Sequence, residues 1–232
     1  DDVTTFVMPA ENVTVAATFE SAASPVANVN IGGETKPYSD LHAALVAGSV
    51  AGAVVELVDD VDLTGINWEP IADFKGTFDG AGYTISNLSI SCDDSGDQKL
   101  GLFSNIPVDT VIKNFTVENA TVYAPKANYI GVVAGHGGAT AEGKANGLIT
   151  NVTVCGSIQV TGNGYVRVIC GHGNYGWFSD CHVDGGSAAT SFVKGNSSSD
   201  GGIFGMAGEG TSVRVYDCSV KNISISGTSN VG

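Results

Sequence analysis

Ile85-Ser-Asn87-Leu-Ser-Ile90 is echoed by Ile112-Lys-Asn114-Phe-Thr-Val117 and again by Ile149-Thr-Asn151-Val-Thr-Val154. Looser copies stand at Phe178-Ser-Asp180-Cys-His-Val183 and Val215-Tyr-Asp217-Cys-Ser-Val220. The Asn/Asp positions are separated by 27, 37, 29 and 37 residues. A second phrase runs between the copies: Gly101-Leu-Phe, then Tyr129-Ile-Gly131-Val-Val-Ala-Gly135-His136-Gly, then Tyr165-Val-Arg167-Val-Ile-Cys-Gly171-His172-Gly, then Gly201-Gly202-Ile-Phe-Gly205. Two interleaved phrases at such a period describe one supersecondary unit stacked on itself.

Between Trp68 and the C-terminal end the strand-like runs are short, with Gly, Asn, Asp and Ser between them. In the repeat from Leu148 to Gly173, the expected strands are Ile149–Val154, Ser157–Val160 and Tyr165–Cys170. Three short strands per period predict an all-β, three-strand parallel coil with β-branched and aromatic residues inside. The Asn of each phrase belongs at a corner, because Asn tolerates the left-handed backbone region and bonds its own main chain. Aligned copies can then bond one another up the stack.

The segment before the repeats reads as a linker and N-terminal cap over residues 21–65, with the coils occupying 66–232. Val29-Asn-Ile31, Lys36-Pro-Tyr38 and Ala53–Val58 are strand-like. Ser39–Ala47 is the helix, with Ser39 or Asp40 as its cap, Leu41, Ala44 and Leu45 on one face, and Gly48 at its end. A first coil exposes unpaired strand edges and apolar side chains, so a covering helix has a physical reason to be there. Residues 1–20 read as two alternating strands around Pro9-Ala-Glu-Asn12.

The formal charge is −14 and only ten residues are Lys or Arg. Nucleic acid is excluded as a partner, since phosphate binding needs clustered cations. No apolar run is long enough to cross a bilayer as a helix, so no membrane insertion is expected. The 32 glycines in 232 residues are about twice ordinary usage and suit a chain that turns sharply many times. The chain opens inside strand-like sequence and closes on Asn230-Val231-Gly232, which matches the start of the Gly131 phrase. It therefore reads as an excerpt of a longer mature protein.

Trp68-Glu-Pro70-Ile-Ala-Asp-Phe74-Lys-Gly76-Thr-Phe78-Asp79-Gly80-Ala-Gly82-Tyr-Thr-Ile85 resembles the opening segment of the β-helices of bacterial surface proteins, and the Gly131 and Gly202 phrases resemble the GLUG motif of the same proteins. Residues 1–20, with Met8-Pro9-Ala followed by Asn12-Val-Thr-Val15, resemble the closing hairpin of an internalin B-type repeat. The resemblance implies a right-handed parallel β-helix in an adhesin-like protein, at the extracellular bacterial cell surface, and carries no catalytic motif. Arg167 departs from it by filling a glycine slot, and Ala72 by replacing a usual glycine.

Most residues that suggest chemistry are accounted for by the repeat. Asp59, Asp60 and Asp62 follow a strand and suit a turn, as does Asp79 in Phe78-Asp-Gly80. Asp180 and Asp217 hold the Asn position of the phrase. No pair of carboxylates is left to serve a glycosidase or lyase, so the chain is read as a non-enzyme without cofactors. Asp93, Asp94 and Asp97 form an acidic, glycine-broken loop that is a weak calcium candidate, since it lacks the bidentate Glu of an EF-hand. Sequons at Asn87, Asn114 and Asn151 are products of the repeat grammar. Cys181 and Cys218 share one slot, and a disulfide between them requires their coils to be adjacent.

The remaining candidates are binding residues: Tyr129, Tyr165, Tyr175 and Trp177 near strand ends, and the equivalent pair His136 and His172. Aromatics placed there can meet a sugar or anchor a partner. The expected function is a secreted or cell-surface module presenting a rigid face to a glycan or a surface protein. Two alternatives stand beside it: a piece of a carbohydrate-active β-helix enzyme whose catalytic coils lie outside the chain, and an inert spacer.

Overall fold

The computed structural model describes residues 23–138, 148–174, 176–186, 189–196, 199–200 and 213–228. The expected hairpin of residues 1–20, the Gly202 phrase, Tyr175 and the Asn230 ending lie outside the described residues.

The protein is nearly all-β and winds as a parallel β-solenoid of about four turns. Its cap is an antiparallel layer in which β1 (Ala27–Ile31) pairs with β2 (Glu34–Tyr38) on one side and β3 (Val54–Leu57) on the other. Between them lies α1 (Leu41–Ala47). Asp40 caps α1 with a bond from the Ala43 N–H at 2.6 Å, satisfying one of the helix's free donors. Leu41, Ala44 and Leu45 are its buried face. Parallel pairing begins with β3, so the first coil starts there and continues through β4 (Val61–Asp62).

The next coil contains β5 (Thr77–Asp79), β6 (Thr84–Ser91), β7 (Gly96–Leu100) and β8 (Phe103–Ile106). It is followed by β9 (Val111–Tyr123), β10 (Ala127–Ile130) and β11 (Ala134–Gly138), then by β12 (Leu148–Gly162), β13 (Tyr165–Val166) and β14 (Cys170–Asn174). Beyond these come β15 (Trp177–Asp184), β16 (Phe192–Gly195) and β17 (Ser199–Asp200), and last β18 (Arg214–Tyr216), β19 (Ser219–Lys221) and β20 (Ser224–Ser226). Three sheets run along the axis. A long one includes β9, β12 and β15, a second stacks β7, β10, β13 and β17, and a third stacks β8, β11 and β14.

The core is built in columns because each coil repeats the same inward positions. Phe78, Ile112, Ile149 and Phe178 are opposite one another in successive strands and all are buried. Phe115, Val152 and Cys181 form the next column, and Val117, Val154 and Val183 the one after. Near the cap the filling is aromatic: Phe78 lies 5.8 Å from Phe103 and 5.2 Å from Phe115 between ring centroids. Each such fully buried side chain contributes about 1.5–3 kcal/mol of transfer free energy.

Two features differ from expectation. The strands expected over Ile149–Val154 and Ser157–Val160 are one bent strand, β12, because Gly156 turns the chain at φ +79° without releasing it from the sheet. The third, Tyr165–Cys170, is instead broken at Arg167–Ile169 into β13 and β14. The second difference is a correction of phase. Asn114, Asn151, Asp180 and Asp217 do share a corner, with φ of 50–60°. Asn87 does not join them, since Ser86 faces Glu118 and Leu88 faces Ala120. It belongs with Asn119 at a second corner, five residues further along each coil. Gly156, Gly185 and Asn222 continue that corner. The odd interval of 27 residues joined two different corners.

The corner side chains are wired in one direction. Asn151 Nδ2 donates to Asn114 Oδ1 at 2.9 Å, and Asn114 Nδ2 donates to Asp79 Oδ1 at 3.0 Å. At the second corner Asn87 Nδ2 donates to Asp62 Oδ1 at 2.9 Å, and farther along Asn222 Nδ2 donates to Asp184 Oδ1 at 2.8 Å. On the second sheet Asn163 donates to Asn128, which donates to Asp97. An ionised carboxylate can only accept, so an aspartate is suited to close a column whose amides all donate the same way. The bonds hold Asp62, Asp79 and Asp184 in their charged form. The Asp62 pKa is lowered by its bonds from Asn87 and Thr64. Asp184 is lowered to about 2 by Asn222, Lys221 and the Gly186 amide. At Asp79 burial works to raise the pKa, but bonds from Ala81, Lys113 and Asn114 outweigh it.

Cys218 lies opposite Cys181 on the adjacent coil, with Cys218 Sγ 3.4 Å from the Cys181 amide. The adjacency that a disulfide requires is present, and both residues are free thiols in this structure.

Replacing Asn114 or Asn151 by Leu should lower stability by about 1–3 kcal/mol each, through bonding groups left unpaired in the column. Thermal or denaturant melting checks this, and an unchanged midpoint for both would mean the column contributes nothing.

Candidate functional site

The second phrase folds into a tight corner between two sheets. Gly135 packs onto the neighbouring coil so closely that a Cβ there would sit 2.3 Å from the Leu100 amide nitrogen. Gly171 repeats the contact one coil on, where a Cβ would meet the Ile130 nitrogen at 2.5 Å. No side chain fits at either place, which is why the phrase keeps glycine before each histidine. The close approach brings the strand carrying the tyrosines beside the strand carrying the histidines.

Tyr129 and Tyr165 are in register on β10 and β13. Their rings stack at 5.4 Å, with 9° between planes. His136 and His172 are in register on β11 and β14 and stack at 5.1 Å. The two stacks meet edge to face: Tyr129 lies 5.9 Å from His136 and 5.5 Å from His172, and Tyr165 lies 4.9 Å from His172. Arg167, the residue in the glycine position, is buried beneath this group. Its guanidinium donates to the Gly171 carbonyl and lies 5.5 Å from the Tyr165 ring centre.

The histidine stack extends the amide wiring. Asn105 Nδ2 donates to Asp73 Oδ1 at 2.7 Å, so Asn105 Oδ1 is left to accept from His136 Nδ1 at 2.9 Å. His136 is thereby set as the Nδ1–H tautomer. Burial, with Lys99 and His172 nearby, holds its pKa down to about 4. Burial and the Arg167 and Lys99 charges lower that of His172 as well. Burial and the Asp97 carboxylate keep the Tyr129 phenol protonated by raising its pKa. The imidazole pair and the phenol are thus neutral near pH 7. The stacked faces cover one another, the rings are half-buried, and His172 Nδ1 is buried without a hydrogen-bond partner among the described residues.

Of the sequence candidates, Tyr129, Tyr165, His136 and His172 thus form one cluster. Trp177 stands apart at the start of β15, 40% exposed, with the Arg214 guanidinium 4.7 Å from its ring centre. Among the described residues no group of three or more His, Cys, Asp or Glu is placed to hold a metal. Asp97 is engaged by Asn128, apart from any such group with Asp93 and Asp94. Asp60, Asp62 and Asp79 each have structural partners, since Asp60 accepts from the Thr84 N–H and the other two end amide columns.

One feature was not legible from sequence. A cleft of about 350 Å³ lies between the N-terminal end of α1 and the first coil, lined by residues from Val26 to Glu69. In it His42 meets Trp68 edge to face at 5.3 Å. The Trp68 indole is anchored by donating to the Leu102 carbonyl at 3.1 Å.

The His136 tautomer has a consequence for pH. A folded pKa near 4 against 6.5 in the unfolded chain means the unfolded state binds more protons between those values. Stability should be intact above pH 6.5 and fall as pH drops toward 4. His136→Asn, which copies Asn105, should reduce that slope in melts between pH 7 and 4, leaving the part due to His172. The decline from Asp184 should remain, below the ordinary carboxylate value of 3.8.

The chain matches no family model. Over 116 residues it is 40% identical to halomucin of Haloquadratum walsbyi, a match that takes in 44% of this chain and spans 1% of halomucin. A Bacteroides ovatus structure described as a "putative immunoglobulin A1 protease" aligns with 82% of this chain and 71% of its own, at 20% identity and a TM-score of 0.49. The similarity to halomucin therefore concerns a short part of a far longer protein.

Proposed function

We propose that this chain is a secreted or cell-surface module whose solenoid presents a rigid lateral face to a glycan or a surface protein. The Tyr129, Tyr165, His136 and His172 cluster carries the reading. It is held by main-chain register on two sheets, its rings are half-buried, and, apart from His136 Nδ1 bonded to Asn105 and the buried His172 Nδ1, its polar groups are neutral donors and acceptors of the kind that suits sugar hydroxyls or peptide groups. Extended faces of stacked repeats are a recurrent binding surface. Similarity to part of a protein named halomucin supports an extracellular setting, and the resemblance to GLUG-motif surface proteins points the same way. The binding mechanism is display, with no bond made or broken. The lowered histidine pKa values and the structural engagement of the aspartates favour that over catalysis.

Incubation of the chain with immobilised neutral and acidic glycans tests this. Retention without product is expected, and Tyr165→Ala should weaken it about three- to tenfold, the worth of one aromatic contact. Release of unsaturated oligosaccharide would overturn the non-enzymatic reading. Absence of retention on glycans and on surface proteins alike would leave the chain a spacer.

A further inference from the structure

We propose that the cleft between α1 and the first coil binds a lysine side chain of a partner protein. This site is separate from the Tyr–His face, and it stands or falls independently of it. Its volume, about 350 Å³, lies within the range of ligand pockets. One wall is apolar: Ile66 is 47% exposed there although it is a large aliphatic residue, and the Trp68–His42 pair lies beside it. The lining also carries Asp40, Asp60, Asp62 and Glu69, and no lysine or arginine lines the cleft.

The three aspartates are held in place, and each keeps an acceptor to spare. Asp40 binds the Ala43 amide through Oδ1. Asp60 binds the Thr84 amide through Oδ1. Asp62 binds Thr64 and Asn87 through Oδ1 as well. In all three the bonds converge on one oxygen and leave Oδ2 for an incoming donor. Glu69 has no hydrogen-bond or ion-pair partner among the described residues. These acids are not gathered closely enough for a cation shared by three of them. Spaced acceptors beside an apolar wall instead suit a group that carries its charge on a long apolar stem. Lysine has that form, with three rotatable donors at the end of a four-carbon chain that can lie along Ile66. Arginine asks for a planar, bidentate carboxylate, and at Asp40, Asp60 and Asp62 one oxygen of each is already taken. The net charge of −14 draws a basic segment toward the protein, and the apolar wall distinguishes this cleft from other acidic surface.

Trp68 provides a local signal once Trp177, the other of two tryptophans, is replaced by Phe. The full chain carrying Trp177→Phe would be titrated with an end-blocked Gly-Lys-Gly-Gly peptide and with its norleucine counterpart. A saturable change in Trp68 fluorescence is expected with the lysine peptide, at least about tenfold weaker with norleucine, which has a stem but no charge. Glu69→Gln and Ile66→Ser should each weaken lysine binding about threefold or more, while Asp93→Asn with Asp94→Asn should leave it unchanged. A flat lysine titration overturns the proposal. So does equal binding of norleucine, an equal loss in the Asp93 and Asp94 variant, or displacement of the peptide by stoichiometric calcium.

Discussion

Everything regular in this structure depends on a left-handed residue at the corners of each coil. At Asn87, Asn114, Asn119, Asn151 and Asn222 the backbone takes φ between 51° and 60°, a region most side chains disfavour. Asparagine tolerates it; the amides of Asn87, Asn114, Asn151 and Asn222 then donate to the coil before, while Asn119 Oδ1 accepts from the Ser157 N–H on the coil after. A turn that recurs at fixed points along each coil keeps successive strands in register, so inward residues land on inward residues. The core columns from Phe78 to Phe178 are the result.

The same corners explain the distribution of acid. An amide column that donates in one direction needs an acceptor at its end, and Asp79, Asp62 and Asp97 provide it. Asp73 plays the equivalent part for Asn105 and His136. These carboxylates are committed to the scaffold, and the bonds that commit Asp62 and Asp79 hold their pKa values down. The groups at the Tyr–His corner are held in place by register and stacking.

Much of the architecture was legible because it is periodic. The Asn phrase indicated corners, and the helix over Leu41–Ala47, its Asp40 cap and its buried face followed from local spacing. The phase of Asn87 was misread because both corners of a coil use the same residue grammar, Ile-x-Asn followed by alternating apolar positions. Only strand pairing tells Ile85-Ser-Asn87 from Ile112-Lys-Asn114. Asn119 in Val117-Glu-Asn119 and Asn222 in Val220-Lys-Asn222 share that grammar and are also corner residues. Arg167 in a glycine position looked like an irregularity, and in three dimensions it is a buried donor tying Gly171 beneath the tyrosine stack.

The sequence by itself determined the repeating unit, the residues able to turn left-handed, the inward positions and the cap helix, since these depend on contacts between near neighbours and on a period. Tertiary structure alone decided which corner each asparagine occupies, that Tyr129 and His136 meet their counterparts at 5.4 and 5.1 Å, and that α1 leaves an acidic cleft against the first coil. Those outcomes depend on how far each coil slides relative to the next and on how closely two sheets approach. A chain of letters records which residues can make such contacts. The distance between strands that are 30 or more residues apart is set by packing.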